Sequence, residues 1–162
     1  MSISRRSTAR AAVLCGIGGW VPPRVVTNEE LSQRLATTDE WITTRTGIRE
    51  RRVVEPGEAT SDLAVAAGKR ALRCAGSVAP DTVVVTTATP DRPLPATAPL
   101  VASRLGLLDA AAFDVGAACS GFVYALATAA GMISTGASRR VLVIGADVYS
   151  SIVDPEDRTN AI

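Results

Sequence analysis

The chain has 162 residues, a length that suits one domain with a sizeable core. Hydrophobic residues make up 47% and charged residues 20%, with a formal net charge of +1; this ordinary globular composition excludes a basic nucleic-acid-binding face, and 4% aromatics are too few for base-stacking platforms. Three scattered cysteines without a CxxC pair argue against a metal knuckle or a disulfide framework, histidine is absent, and no stretch is expected to approach the roughly 20 apolar residues of a membrane span.

In chain order, residues 1–11 read as a flexible tail. The start "MSISRRSTARAAVLCGIGGW" has a short apolar run broken by Gly16, Gly18 and Gly19, so a signal peptide is not expected. Residues 12–18 read as the first strand. "GIGGW" is no dinucleotide fingerprint, because Val21 stands where the third glycine is needed and a proline pair follows where a helix should begin. "TNEELSQRL" opens a helix on a Thr27/Glu30 capping box, and "TTDEWITTRTG" repeats the pattern with Thr37 and Glu40 and stops at Gly47. "IRERRVV" is a strand or ribbon. "TSDLAVAAGKRALRCAG" is a helix capped by Thr60 or Ser61, and "TVVVTTA" is a buried parallel strand. "DRPLPATAP" is a proline-rich loop, "LVASRLG" a short helix stopped by Gly106, "AAFDV" a strand, "RRVLVIGADV" the last clear strand and "DPEDRTNAI" a loop. Strands alternating with helices imply an α/β fold with a mostly parallel sheet.

The segment after Cys119 carries no charge from residue 120 to residue 134, which predicts a helix of about 15 residues buried on every side and too short to span a bilayer. Cys119 falls at the strand-to-helix turn before it. There the unpaired N–H groups and the helix dipole favour thiolate and could hold an oxyanion. Gly116, Ala117, Ala118 and Gly121 keep the approach open, in the manner of a nucleophile elbow with sulfur in place of oxygen. The alternative is an inert buried cysteine, the reading kept for Cys15 and Cys74.

"AFDVGAACSGFVYAL" resembles the active-cysteine motif of β-ketoacyl-acyl carrier protein synthase III, a condensing enzyme of the thiolase fold. "VPPRVVTNEEL", "TTDEWITTRTGIRERR", "TATPDRPLPATA", "RRVLVIGADVYS" and "DPEDRT" are similar to that family in the family's order, so the resemblance covers about residues 12–160. It implies a thiolase-like layered fold over residues 12–162, the N-terminal half of the fold, with a buried central helix after the cysteine. It implies that Cys119 takes an acyl group from a short acyl-CoA as a thioester, which malonyl-acyl carrier protein then attacks with loss of carbon dioxide, initiating fatty acid synthesis. Trp41 and Arg158 match residues on the two faces of the coenzyme A adenine, Thr37 and Arg45 match positions near the nucleotide end, and Leu94 matches an acyl-pocket residue presented across a dimer interface. Read alone, the "TDEW" segment is equally a cap plus an anchor, Arg158 a solvated loop charge and Leu94 ordinary loop packing. No metal and no resident cofactor are implied. Coenzyme A enters as the substrate thioester, the partners are acyl-CoA and acyl carrier protein, the full-length form is a homodimer, and neither nucleic acid nor membrane is a partner. A reduced, cytoplasmic compartment fits the cysteine usage.

The family also uses a histidine and an asparagine from a second half, and a sequence without histidine offers no counterpart; Asn28 and Asn160 do not match the asparagine. The chain therefore reads as an N-terminal half, able to acylate Cys119 weakly and unable to condense, with apolar surface exposed where a second half would pack. Two other readings stand beside it: a non-catalytic half-domain that pairs with a separate partner, and a polyketide-priming ketosynthase of the same fold.

Overall fold

The computed structural model describes residues 11–162, so the tail expected over residues 1–11 lies, apart from Ala11, outside the described residues. The first layer is a small ribbon. Strand β1 (Arg24–Thr27) pairs antiparallel with β2 (Glu50–Val53), and the connection between them holds helices α1 (Asn28–Ser32) and α2 (Asp39–Thr46). Thr27 caps α1 as expected, its hydroxyl accepting the Glu30 N–H at 3.2 Å. The cap of α2 is Thr38 and not Thr37. The Trp41 N–H donates to Thr38 Oγ1 at 3.1 Å, while the Thr37 N–H is already turned back onto the Leu35 carbonyl. Gly47 closes α2 at φ 73°, a left-handed conformation that costs glycine least. Val26, Leu31, Leu35 and Ile42 form the core of this layer, with Trp41, Ala161 and Ile162 packed against it.

The main sheet has the order β4–β3–β5, all parallel: β3 (Thr82–Thr86) lies between β4 (Ala111–Asp114) and β5 (Val141–Gly145). Its central valines Val83, Val84 and Val85 are wholly buried, as an apolar, β-branched run predicts for a strand covered on both faces. Helix α4 (Thr97–Arg104) carries the chain from β3 to β4, and α5 (Gly121–Thr135) carries it back past β3 to β5. Two crossovers of the same right hand, made in opposite directions, put their helices on opposite faces of the sheet. Accordingly α4 packs with α3 (Thr60–Cys74), while α5 packs on β3 and β5. The main core joins Ala64 and Val65 of α3, Ala98 and Val101 of α4, and Val83, Val85, Leu142 and Ile144 of the sheet.

Four expectations need correction. Residues 12–18 join no strand ladder. They run against α3 instead, so closely that a Cβ on Gly18 would lie 2.3 Å from the Ala71 nitrogen and one on Gly16 2.7 Å from that of Ala75. Helix α3 is not capped by Thr60 or Ser61. Its N-cap is Ala59, whose N–H is taken by the Asp62 carboxylate at 2.8 Å, while the Thr60 hydroxyl bonds to Thr89 and the Ser61 N–H to Asp91. Helix α4 begins at Thr97, inside the segment read as loop. The Asp114 carboxylate accepts the Thr97 and Ala98 N–H groups at 2.8 and 2.7 Å, and Pro99 fits the first turn, where its missing N–H is not needed.

The fourth correction is the largest. Helix α5 is buried on one side only, along Gly121, Ala125 and Ala129. These small residues at four-residue spacing seat it tightly on the sheet, while Thr128, Ala130, Met132 and Ile133 are half-buried and the rest of its circumference is exposed. Phe122, Val123, Tyr124 and Leu126 are exposed. With the short 3-10 turn before it, the helical run Ala118–Thr135 has 18 residues at a mean hydropathy of 1.3, long and apolar enough by length and composition to cross a membrane, contrary to expectation.

Candidate active site

The carboxyl ends of the three parallel strands meet at one edge, where open α/β sheets place their ligands. Chain leaving β4 is held there twice: the Asp114 carboxylate grips the start of α4, and the Val115 N–H donates to Val85 O at 2.8 Å. The backbone then turns sharply. Ala118 sits at φ +42°, a left-handed conformation that a residue with a β-carbon adopts at a cost of about 1–2 kcal/mol. Ala118–Ser120 form a single 3-10 turn, and α5 begins at Gly121.

Cys119 is the middle residue of that turn. Its thiol is free and exposed. No side chain caps the start of α5; the Ser120 N–H donates to the Ala117 carbonyl at 3.0 Å and the Gly121 N–H to the Ala118 carbonyl, so the 3-10 turn carries Cys119 directly into the positive end of the helix dipole. Gly121 is what allows the helix to start so near the sheet: a Cβ there would lie 1.9 Å from Thr86 Oγ1. A strand, a strained turn and a helix, with sulfur at the bend, make the elbow geometry suited to covalent acyl transfer.

The loops around this edge are tied by polar groups, Thr60 and Thr89 buried and Asp147 exposed. Thr89 Oγ1 accepts the Val148 N–H at 2.8 Å and lies 2.9 Å from the Thr60 hydroxyl. The Asp147 carboxylate accepts the Ala88 N–H at 2.7 Å and the Thr87 hydroxyl at 3.1 Å. Leu94, in the loop after β3, stands 84% exposed and packs on nothing that would explain it as ordinary loop filling.

The other expected residues gather on the ribbon layer. The guanidinium carbons of Arg45 and Arg158 lie 4.4 and 4.7 Å from the centroid of the Trp41 ring. Arg45 reaches the ring from one helical turn along α2. Arg158 arrives from the last turn of the chain and is anchored by donating Nη1 to the Ala36 carbonyl at 2.9 Å. Its turn is braced by Asp157, whose carboxyl is held below its usual range by the backbone N–H and then the hydroxyl of Thr159. Thr37, next to Ala36, keeps a buried hydroxyl with no partner. The structure thus brings Trp41, Arg45 and Arg158 into contact with Thr37 beside them, and it places Cys119 and Leu94 apart from that cluster. Two apolar concavities, of about 270 and 280 Å³, follow the β5 edge and include none of these residues.

Three features of the site were not foreseen. The strain at Ala118 has no signal in a single sequence, since alanine gives no hint of a positive φ. The contact between Gly121 and Thr86 joins residues 35 positions apart. Asn28, passed over as a catalytic candidate, is wholly buried and bonds to α2, to β2 and to the turn between them.

Comparison with known proteins gives these features a context. The family described as 3-Oxoacyl-[acyl-carrier-protein (ACP)] synthase III matches residues 113–162, the segment that contains Cys119. "Beta-ketoacyl-[acyl-carrier-protein] synthase III 2" of Streptomyces coelicolor is 57% identical over 162 residues, covering 100% of this chain and 49% of the relative. "Beta-ketoacyl-[acyl-carrier-protein] synthase III 3" of the same organism is 55% identical, covering 94% of this chain and 46% of the relative. Among solved structures, the 3-oxoacyl-(acyl carrier protein) synthase III of Pseudomonas aeruginosa PAO1 superposes with a TM-score of 0.89 at 46% identity, covering 93% of this chain and 46% of that one. The priming β-ketosynthase of the R1128 polyketide biosynthetic pathway also reaches 0.89, at 41% identity and the same coverage. The chain spans about half the length of the curated relatives it matches. In sequence and in thiolase-like fold, this chain is similar, over about half of their length, to the 3-oxoacyl-[acyl-carrier-protein] synthase III enzymes.

Proposed function

We propose that this chain carries the acyl-accepting half of a condensing acyltransferase of the synthase III type, with Cys119 as the nucleophile and a short acyl-CoA as the donor. One observation carries the reading: an exposed, free thiol at a strained elbow, directly before an uncapped helix start. The thiolate attacks the thioester carbonyl, and the positive end of the α5 dipole favours both the thiolate and the oxyanion that develops. The carbon–sulfur bond to coenzyme A then breaks, coenzyme A leaves as thiolate and takes a proton from solvent, and the acyl group stays on Cys119.

Trp41 and Arg158 are the slot for the adenine of coenzyme A, with Arg45 and Thr37 at the nucleotide end. A flat base stacked between indole and guanidinium needs two contact distances, about 7 Å in all. Arg158 now stands 4.7 Å from the ring, so the slot is closed and binding swings Arg158 outward by about 2 Å. Leu94 reaches the acyl pocket of a second subunit in the homodimeric whole protein. Condensation with malonyl-acyl carrier protein belongs to that whole protein, because the histidine the resemblance requires is not among these 162 residues. Coenzyme A is substrate and not resident cofactor, no metal takes part, and the compartment is the cytoplasm.

Incubation of the intact chain with radiolabelled acetyl-CoA tests this. Label should appear on the protein, fall to background in Cys119→Ala, and be reduced in Trp41→Ala; label that persists in Cys119→Ala removes the nucleophile assignment. A second reading, a polyketide-priming ketosynthase, is supported by the equal TM-score of the R1128 priming enzyme, at lower sequence identity. It predicts that longer or branched acyl-CoA donors label Cys119 faster than acetyl-CoA. The third reading, a non-catalytic half-domain paired with a separate chain, predicts folding without any labelling.

A further inference from the structure

Helix α2 carries both Trp41 and Arg45, yet it has only eight residues and buries a single apolar side chain, Ile42. Its other apolar contact is the half-buried Trp41 ring against the same core, and Trp41 is the side chain to be aimed, so apolar packing alone fixes the roll of so short a helix weakly. The second anchor is polar. The Asn28 amide nitrogen donates to Asp39 Oδ1 and to the Ile48 carbonyl, both at 2.8 Å, and its oxygen accepts Arg51 Nη1 at 2.7 Å. Both N–H donors and the carbonyl are therefore used, and only this orientation of the amide matches two acceptors and one donor. Thr43 joins the same group, donating its hydroxyl to Asp39 at 3.2 Å. Asp39 is the first residue of α2 and Ile48 follows its C-cap, so one buried amide holds both ends of the helix against β2.

We infer that Asn28 is the positioning residue of the Trp41 slot: its amide fixes the roll of α2 and so aims the indole and Arg45 at coenzyme A. This rests on the slot proposed above. Leucine is too branched and lacks the donors, and aspartate keeps the shape while turning the donating end into an acceptor that faces Asp39. The charged side chains bonded to Asn28 are Asp39 from α2 and Arg51 from β2. In Asn28→Asp, Arg51 keeps its bond to one oxygen while the other opposes Asp39 and the Ile48 carbonyl. Taking up a proton gives that second oxygen a hydrogen to donate again.

Coenzyme A binding to the intact chain, followed by calorimetry, tests the assignment. The unaltered chain should bind and Trp41→Ala should not. Asn28→Asp should bind about tenfold more weakly at about pH 8, with the deficit narrowing as the pH falls to about 6. Asn28→Asp combined with Asp39→Asn exchanges carboxylate and amide and should recover part of the affinity at the higher pH. If Asn28→Asp does not fold, Asp39→Ala removes the same bond from its exposed end and should show the same loss. Affinity equal to that of the unaltered chain in these variants overturns the inference, as does a loss that neither pH nor the exchange relieves. Equal binding by Trp41→Ala and the unaltered chain instead overturns the slot itself.

Discussion

At the scale of single residues, the turn that holds Cys119 depends on close contacts more than on charges. Gly121 is the sharpest case. The Cβ of Gly121→Ala would fall 1.9 Å from Thr86 Oγ1, so helix and strand must separate, at a cost of about 1–3 kcal/mol. Chemical denaturation should read that loss, and Thr86→Ala in the same chain should restore much of it. Asp81 makes a different prediction. Burial alone would raise its pKa, but the Ser138 hydroxyl and the backbone N–H groups of Arg139 and Arg140 together lower it. A carboxyl with a depressed folded-state pKa adds stability above its unfolded value and loses it as the pH falls through the folded value. Asp81→Asn should therefore leave the chain less stable near neutrality and flatten the acid limb of its stability curve, as urea titrations across pH will read. The place of Cys119 at the strand-to-helix turn was legible because small residues surround it ahead of a charge-free stretch. The conformation of Ala118 and the role of Asn28 were not, since both are set by residues far away in the chain.

Secondary structure was readable wherever one force decided it. Strand β3 is a run of valines with one possible fate, and Gly47 ends its helix in a left-handed turn as glycines do. Caps were less legible, because adjacent hydroxyls compete: Thr37 and Thr38 both qualify, and backbone geometry chose the second. The strand expected over residues 12–18 failed for a related reason, since its glycines approach α3 and no ladder forms. Helix α5 shows the limit of composition. Its lack of charge foretold apolar surroundings on all sides, and the described chain supplies them on one. Val123→Arg, on the exposed face, should thus change stability by no more than about 0.5 kcal/mol, whereas Ala125→Leu, against the sheet, should cost about 1–3 kcal/mol. Thermal unfolding of the two variants side by side checks which face is occupied.

Across the whole molecule, two layers divide the work. The ribbon layer gathers Trp41, Arg45 and Arg158, and the sheet layer presents Cys119 at its carboxyl edge; α/β class and parallel sheet were both legible from the alternation of elements. Large apolar side chains stand exposed on α5, at Phe122, Val123, Tyr124 and Leu126, and on the segment before β1, at Val13, Leu14 and Ile17. Their exposure agrees with a chain that spans about half the length of its relatives. All three cysteines are free and exposed, which supplies an internal control, because access alone cannot distinguish them. The decisive measurement is peptide mapping by mass spectrometry after brief exposure of the intact chain to acetyl-CoA. The elbow account predicts a thioester on Cys119, with Cys15 and Cys74 left as thiols; acetyl groups spread evenly over the three, or found only on the other two, would contradict it.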